Sequence, residues 1–116
     1  MTRTGYPMNI SAIRHIDLNE IFAGEAKRVG THHMSGFRAV TVTLEEGQTI
    51  PLHEEPNATL FIVLGGEGTI TVGDGHYRVG AGHIVVADHA QDRGIECTRR
   101  MYLIEIQQLL AADDHR

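Results

Sequence analysis

The residues best suited to chemistry in this chain are a histidine and a glutamate held in a frame of glycines. Gly47 is followed after five residues by His53, after one more by Glu55, after three by Thr59 and after six by Gly66. His53 and Glu55 are two positions apart, so on a strand their side chains point to the same face. One imidazole nitrogen and one carboxylate oxygen could ligate a divalent metal or bind a small molecule, although two ligands hold a metal weakly.

A second glycine frame carries an arginine. Gly82 is followed after five residues by the run Asp88-His89-Ala90 and, two residues later, by Arg93. A guanidinium is always cationic and accepts no hydrogen bond, so Arg93 repels a dication. His89 and Asp88 precede Arg93 in the same loop, where either side chain could turn into the site or stay solvated. This frame therefore predicts that the positive charge of Arg93 lies at the site.

The two frames together resemble the two motifs of the cupin superfamily, G-x5-H-x-H-x3-E-x6-G and G-x5-P-x-G-x2-H-x3-N. The stretches FIVLGGEGTITVGD and YRVGAGHIVVADHAQ are similar to the core of small single-domain bacterial cupins. Metal-binding cupins take two histidines and a glutamate from the first motif and a histidine from the second. The resemblance puts His53 and Glu55 at the two histidine positions of the first motif. It puts Thr59 at the glutamate position and Arg93 at the histidine position of the second motif.

The resemblance thus implies a metal site that has lost most of its ligands. Only His53 keeps its type, and Glu55 is a chemically suitable replacement. We expect no tightly bound metal, with iron, nickel, zinc or manganese on His53 and Glu55 as the alternative. The proline and glycine of the second motif are also replaced, by Asp88 and Ala90.

Arg93 needs a partner if it is buried, because an unpaired buried charge costs several kcal/mol. One hypothesis pairs Arg93 with Glu55 across the former metal site, either as a structural ion pair or as part of a binding site. An anionic ligand such as a carboxylate is the other partner, since a guanidinium binds carboxylates bidentately. The predicted ligand-binding residues are therefore His53, Glu55, Thr59, Arg93 and His89.

Short strands and tight turns, including one predicted at Gly65–Gly68, must position these residues. Alternating or unbroken apolar patterns predict strands over Phe37–Leu44, Thr59–Leu64, Thr69–Val72, His76–Val79, Ile84–Ala87 and Met101–Ile106. Pro51 and Pro56 suit an edge or a bulge near the first frame. Asp17 to Glu20 could form a turn or begin a short helix. Glu105 interrupts the last apolar run, and the pattern leaves open whether it points inward or outward.

This spacing of strands is typical of a sandwich or barrel, and the resemblance implies an all-β jelly-roll barrel, a double-stranded β-helix, with a pocket at one mouth. We expect a single domain, with a lead-in and edge strands over residues 1–36, the barrel over 37–107 and a tail over 108–116. Three strands that are apolar on both faces need a second cover, supplied by the N-terminal segment or by a partner. We expect a homodimer.

The composition excludes several functions. A net charge of −5 and a pI near 5.8 leave no basic surface for nucleic acid. No apolar run is long enough to cross a membrane, and the first residues lack the apolar core of a signal peptide. The single cysteine, Cys97, cannot form an internal disulfide. These features predict a cytoplasmic protein.

We therefore interpret the chain as a small-molecule-binding protein whose ligand could be anionic. The sequence does not decide whether it is an enzyme. The first alternative is a metal-dependent oxygenase, isomerase or decarboxylase that uses His53 and Glu55. The second is a structural or regulatory dimer whose pocket is filled by side chains.

Overall fold

The computed structural model describes residues 17–23 and 29–110. Residues 1–16 and 24–28 of the predicted lead-in and edge strands and residues 111–116 of the predicted tail lie outside this part of the chain. A short helix, α1 (Leu18–Phe22), begins where the sequence predicted a turn or a helix start. Asp17 caps it, since its side chain accepts hydrogen bonds from the amides of Asn19 and Glu20.

Residues 29–110 form seven strands, and every pair is antiparallel. Their bounds are β1 (Val29–Met34), β2 (Phe37–Leu44), β3 (Thr49–Glu54), β4 (Thr59–Val72), β5 (Gly75–Gly80), β6 (Ile84–Ala87) and β7 (Asp92–Gln108). The main path of hydrogen-bonded strands runs β1-β2-β7-β4-β5, while β3 pairs with β7 and β6 pairs with β4. The protein is thus the all-β jelly roll that the sequence predicted.

Two strands are longer than predicted. The sequence placed a turn at Gly65–Gly68, but β4 continues through it with register shifts against β7. Gly66 has a φ of +81°, and a Cβ there would overlap the carbonyl oxygen of Arg100. The glycines therefore bend a continuous strand instead of ending it. In the same way, the predicted strand at Met101–Ile106 is only the second half of β7.

Inward-facing side chains of β2, β4 and β7 form the core. The most completely buried of them are Val42, Leu44, Phe61, Val63, Ile70, Met101 and Leu103. On β3 the register against β7 shifts between Ile50 and His53, the bulge that Pro51 suggested. Because of this shift, Ile50, His53 and Glu55 all line the same side of the barrel.

The outer face of the sheet is only partly covered. Helix α1 covers one end, where the Phe22 ring lies 5.3 Å from the Tyr102 ring. Arg100 fixes the helix there by donating to the Glu45 carboxylate at 2.8 Å and the Phe22 carbonyl at 3.5 Å. Elsewhere β4 and β6 carry apolar side chains that are exposed in the part of the chain that the structure describes, and the second cover from the N-terminal segment or a partner stays a prediction. No helix within residues 17–23 and 29–110 is long and apolar enough to span a membrane.

Candidate ligand pocket

A pocket opens at one mouth of the barrel, between β2, β3 and the second half of β7. Its volume is about 630 Å³, including the part open to solvent. A recess of about 220 Å³ adjoins it and shares Ile50, His53, Glu55 and Glu105. The polar residues that line the pocket are Arg38, His53, Glu55, Glu105 and Gln107, and the apolar ones are Val40, Val42 and Ile50. Three elements thus bring five polar side chains to one opening.

His53 and Glu55 form a pair at the rim. His53 Nε2 lies 3.1 Å from Glu55 Oε2, and His53 Nδ1 lies 2.8 Å from the carbonyl oxygen of Pro51. Both ring nitrogens therefore face acceptors, and only the imidazolium can donate to both. The hydrogen bond to Pro51 and the interactions with Glu55 raise the pKa of His53, against the opposing effect of partial burial.

Arg93 is buried, with 3% of its surface exposed, and every one of its N–H groups has an acceptor. Nε donates to the Gln91 carbonyl at 3.0 Å. One terminal nitrogen donates to the Asn57 carbonyl at 2.9 Å and the Thr59 hydroxyl at 2.8 Å. The other donates to the carbonyls of Asp88 at 2.8 Å and Glu55 at 3.4 Å. Five donors thus meet five acceptors, and none remains for a ligand.

The hypothesis of an ion pair between Arg93 and the Glu55 carboxylate is therefore wrong. Arg93 contacts the backbone of Glu55, whereas the carboxylate faces His53. Backbone carbonyls replace the carboxylate because the β3–β4 loop and the β6–β7 loop both turn their carbonyl groups toward the guanidinium. Arg93 therefore joins these two loops by hydrogen bonds. Its guanidinium adds positive charge to the pocket but has no N–H group left to donate to a ligand.

The residues at the four inherited ligand positions do not fit a metal ion. The guanidinium of Arg93 takes one position, and the Thr59 hydroxyl at another accepts its hydrogen bond. The predicted break at Pro56 separates Thr59 from His53, since β3 ends at Glu54 and β4 begins at Thr59. In the part of the chain that the structure describes, no three His, Cys, Asp or Glu side chains are grouped to hold a metal.

The second-motif loop keeps its backbone shape without its glycine. Ala90 has a φ of +61°, the region that favours glycine, and its amide donates to the Glu55 carbonyl at 2.9 Å. His89 Nδ1 lies 3.0 Å from the Pro56 carbonyl, in an exposed position that lines neither the pocket nor its recess. His89 therefore joins the two loops on their outer side.

Sequence reasoning missed three residues of the pocket. Glu105, whose orientation was left open, points inward with Gln107, and Arg38 lies on the neighbouring strand. Gln107 Nε2 donates to Glu105 Oε1 at 3.0 Å, and Arg38 Nε donates to Gln107 Oε1 at 2.7 Å. Burial raises the pKa of Glu105 to about 7. The spacing of Glu105 and Gln107 was a usable signal, because two polar residues two apart in a strand share one face.

The sequence places this protein in a known family. A sequence model of the cupin domain matches residues 40–105, which is more than half of the 116 residues. The chain belongs to the cupin superfamily. No curated protein matches this cupin.

Solved structures share the fold of this cupin. A conserved protein of unknown function from Streptococcus pyogenes is 19% identical, with a TM-score of 0.73 over 94% of this chain and 98% of its own. An RmlC-like cupin from Shewanella frigidimarina is 19% identical, with a TM-score of 0.67 over 73% and 78%. KdgF from Halomonas sp. is 19% identical, with a TM-score of 0.64 over 70% and 77%. At these identities the similarity shows the fold alone.

Proposed function

We propose that this cupin binds a small molecule in the barrel-mouth pocket and uses no tightly bound metal. The observation that carries the proposal is the open pocket itself, in which five polar side chains surround space that no side chain fills. A barrel with a purely structural role has no need to keep polar groups together at an opening, since buried polar groups are costly. His53, Glu55, Glu105 and Arg38 would contact the ligand.

Each predicted site residue has a defined part in this proposal. His53 and Glu55 form the rim of the binding site. Thr59 and Arg93 hold the adjoining loops in position and do not contact the ligand, because their polar groups hydrogen-bond to each other and to the loops. His89 holds the loops together outside the pocket. The inherited metal positions serve structure, which supports a metal-free pocket.

Filling the pocket is expected to abolish small-molecule binding. Ile50 lines both the pocket and its recess, so Ile50→Trp would occupy the space. Leu52→Trp on the same strand is the matched control, because Leu52 is 56% exposed and lines neither. NMR with a library of small fragments should find compounds that shift the His53 and Glu105 signals in the wild type and in Leu52→Trp, but not in Ile50→Trp.

Two results would contradict the proposal. One is a library that leaves the pocket signals of the wild type unmoved at millimolar concentrations. The other is binding that persists in Ile50→Trp. Metal analysis of the same wild-type sample, purified without an affinity tag, is expected to give far less than one equivalent. Stoichiometric metal that disappears in His53→Ala would overturn the metal-free part.

We also propose that the apolar outer face of β4 and β6, exposed among the described residues, packs against a second copy of the chain. Ile84 is 59% exposed and Val86 62%, and on β4 the neighbouring Leu60 is 39% exposed and Leu64 42%. Leu60 pairs with Val86 in the sheet, so these side chains form one apolar surface. Contiguous apolar surface of this kind marks association sites.

Val86→Asp is expected to convert a dimer of this cupin into monomers, because a carboxylate would be buried in an apolar interface. Leu52→Asp is the control, since Leu52 is similarly exposed but lies on β3, which pairs with neither β4 nor β6. Sedimentation equilibrium should show a dimer for the wild type and for Leu52→Asp. A monomeric wild type at the highest soluble concentration, or a dimeric Val86→Asp, would refute the interface.

A cytoplasmic location completes the proposal. Cys97 is a free thiol with 1% of its surface exposed, and its Sγ donates to the Leu44 carbonyl at 3.4 Å. Burial raises the pKa of this thiol, which keeps it protonated and unreactive. A reduced buried cysteine is in keeping with a reducing compartment.

A further inference from the structure

Arg38 is a cationic residue of the pocket whose terminal N–H groups are free to donate to a ligand. It is half-buried on β2 and lines the pocket. Its Nε donates to Gln107 Oε1 at 2.7 Å. Its two terminal nitrogens donate to no residue in the described ranges 17–23 and 29–110. Arg93, by contrast, has used all of its donors. A ligand that enters the pocket therefore meets one guanidinium with free N–H groups.

Gln107 holds this guanidinium in place. Its amide is fixed at both ends, since Oε1 accepts from Arg38 and Nε2 donates to Glu105 Oε1 at 3.0 Å. Gln107 is itself buried, with 5% of its surface exposed. A side chain whose position is fixed before binding loses less entropy when the ligand arrives. The Arg38 fork is thus prepared for a planar acceptor with two oxygens.

The charges around the pocket favour a single negative charge. Arg38 and the fully bonded Arg93 are both positive, and His53 is held near Glu55, which balances it. Glu105 also faces this space, and burial favours its neutral form. A monoanion therefore meets net positive charge, whereas a phosphate dianion would place a second charge close to the carboxylates of Glu55 and Glu105.

We propose that Arg38 binds the carboxylate of a small monocarboxylic acid, whose apolar body lies against Val40, Val42 and Ile50. The inference rests on the proposed small-molecule function and names the chemical class of the ligand. The two terminal nitrogens of Arg38 would donate to the two carboxylate oxygens, while Gln107 keeps the fork aimed at them. Anion recognition thus belongs to Arg38, in a role that the sequence had suggested for Arg93.

The test uses pairs of molecules of the same shape in which a neutral amide replaces the carboxylate: benzoate against benzamide, and hexanoate against hexanamide. Titrations are followed by NMR through the side-chain signals of Arg38 and Gln107, which also detects weak binding. The acids should bind the wild type at least tenfold more tightly than the amides. Arg38→Met should lose this preference, whereas Arg78→Met should keep it, since Arg78 is exposed on β5 and lines no part of the pocket.

The outcomes separate the inference from the proposed function. If acids and amides bind equally, or if Arg38→Met keeps the preference, the Arg38 inference is wrong and the pocket remains a small-molecule site. If neither acids nor amides bind while neutral fragments do, the carboxylate class is wrong and the proposed function stands. If no probe or fragment moves any pocket signal, both fail.

Discussion

Replacing Arg93 with methionine is expected to lower the free energy of unfolding by about 3–5 kcal/mol. The guanidinium is almost fully buried, and its five N–H groups hold four carbonyls and one hydroxyl from two loops. Methionine fills much of the volume but removes all five donors, which costs free energy for each acceptor that neither water nor another donor can reach. Urea denaturation of the wild type and Arg93→Met measures the difference.

Two further variants sharpen this experiment. Arg99→Met is the matched control on the same strand, because Arg99 forms only a surface pair with Glu67 at 3.2 Å and its side chain is 71% exposed. Its loss should stay below about 1 kcal/mol. Arg93→Lys keeps the charge but has three donors in place of five, so its loss should be intermediate. If Arg93→Met were no less stable than Arg99→Met, the hydrogen bonds of Arg93 to the two loops would not contribute to stability.

Glu105 is expected to make the protein less stable as the pH rises. Burial raises the pKa of this carboxyl from 4.5 to about 7, so the folded state holds its proton more tightly than the unfolded state does. Below pH 4.5 the group is protonated in both states and costs nothing. Between pH 4.5 and 7 the penalty grows, and above pH 7 it is complete, at about 3 kcal/mol.

Glu105→Gln should remove this pH dependence, because an amide keeps the shape and the acceptor for Gln107 but does not ionise. At pH 8 the variant should unfold at higher urea concentrations than the wild type, while near pH 4.5 the two should be similar. His53 adds a slope of the same sign, since its raised pKa gives stability at low pH that is lost as the pH rises. That slope remains in both proteins, so their difference reports Glu105.

Four charged groups act on Glu105: Arg38 through Gln107, and Glu55, His53 and Arg93 through space. A variant of Glu96, which is exposed on the same strand, is the control for charge alone. Glu96→Gln should track the wild type at every pH. Parallel curves for the wild type and Glu105→Gln would show that Glu105 ionises normally in the folded protein.

Strand periodicity is a local signal, so it predicted most of the strands, whereas the jelly-roll barrel was implied by the resemblance of the two glycine frames. The bounds predicted for β2 agree with the structure, and His53 and Glu55 share a face as expected. The turn predicted at Gly65–Gly68 was wrong for a physical reason: glycines permit a bulge as readily as a reversal. Which of the two forms depends on pairing with β7, whose partner residues lie 29 to 37 positions further along the chain.

The site was harder to predict than the fold. The partners of Arg93 are mostly backbone carbonyls, and a carbonyl has no signature in the sequence. The pocket residues Arg38 and Glu105 lie outside both motifs, and only the pairing of β2 with β7 brings them together. The motifs therefore located the mouth of the barrel but not the residue that we propose binds the ligand.

The position of β7 has a consequence for how the molecule acquires its structure. This 17-residue strand pairs with β2, β3 and β4, so most of the sheet depends on the last strand. Phe37 pairs with Gln108, across most of the described chain. Contacts between such distant residues make folding slow, because the chain loses the entropy of closing a large loop before these contacts stabilise it. During synthesis β2 is made before β7, so we expect its apolar residues to stay exposed until the partner strand is complete.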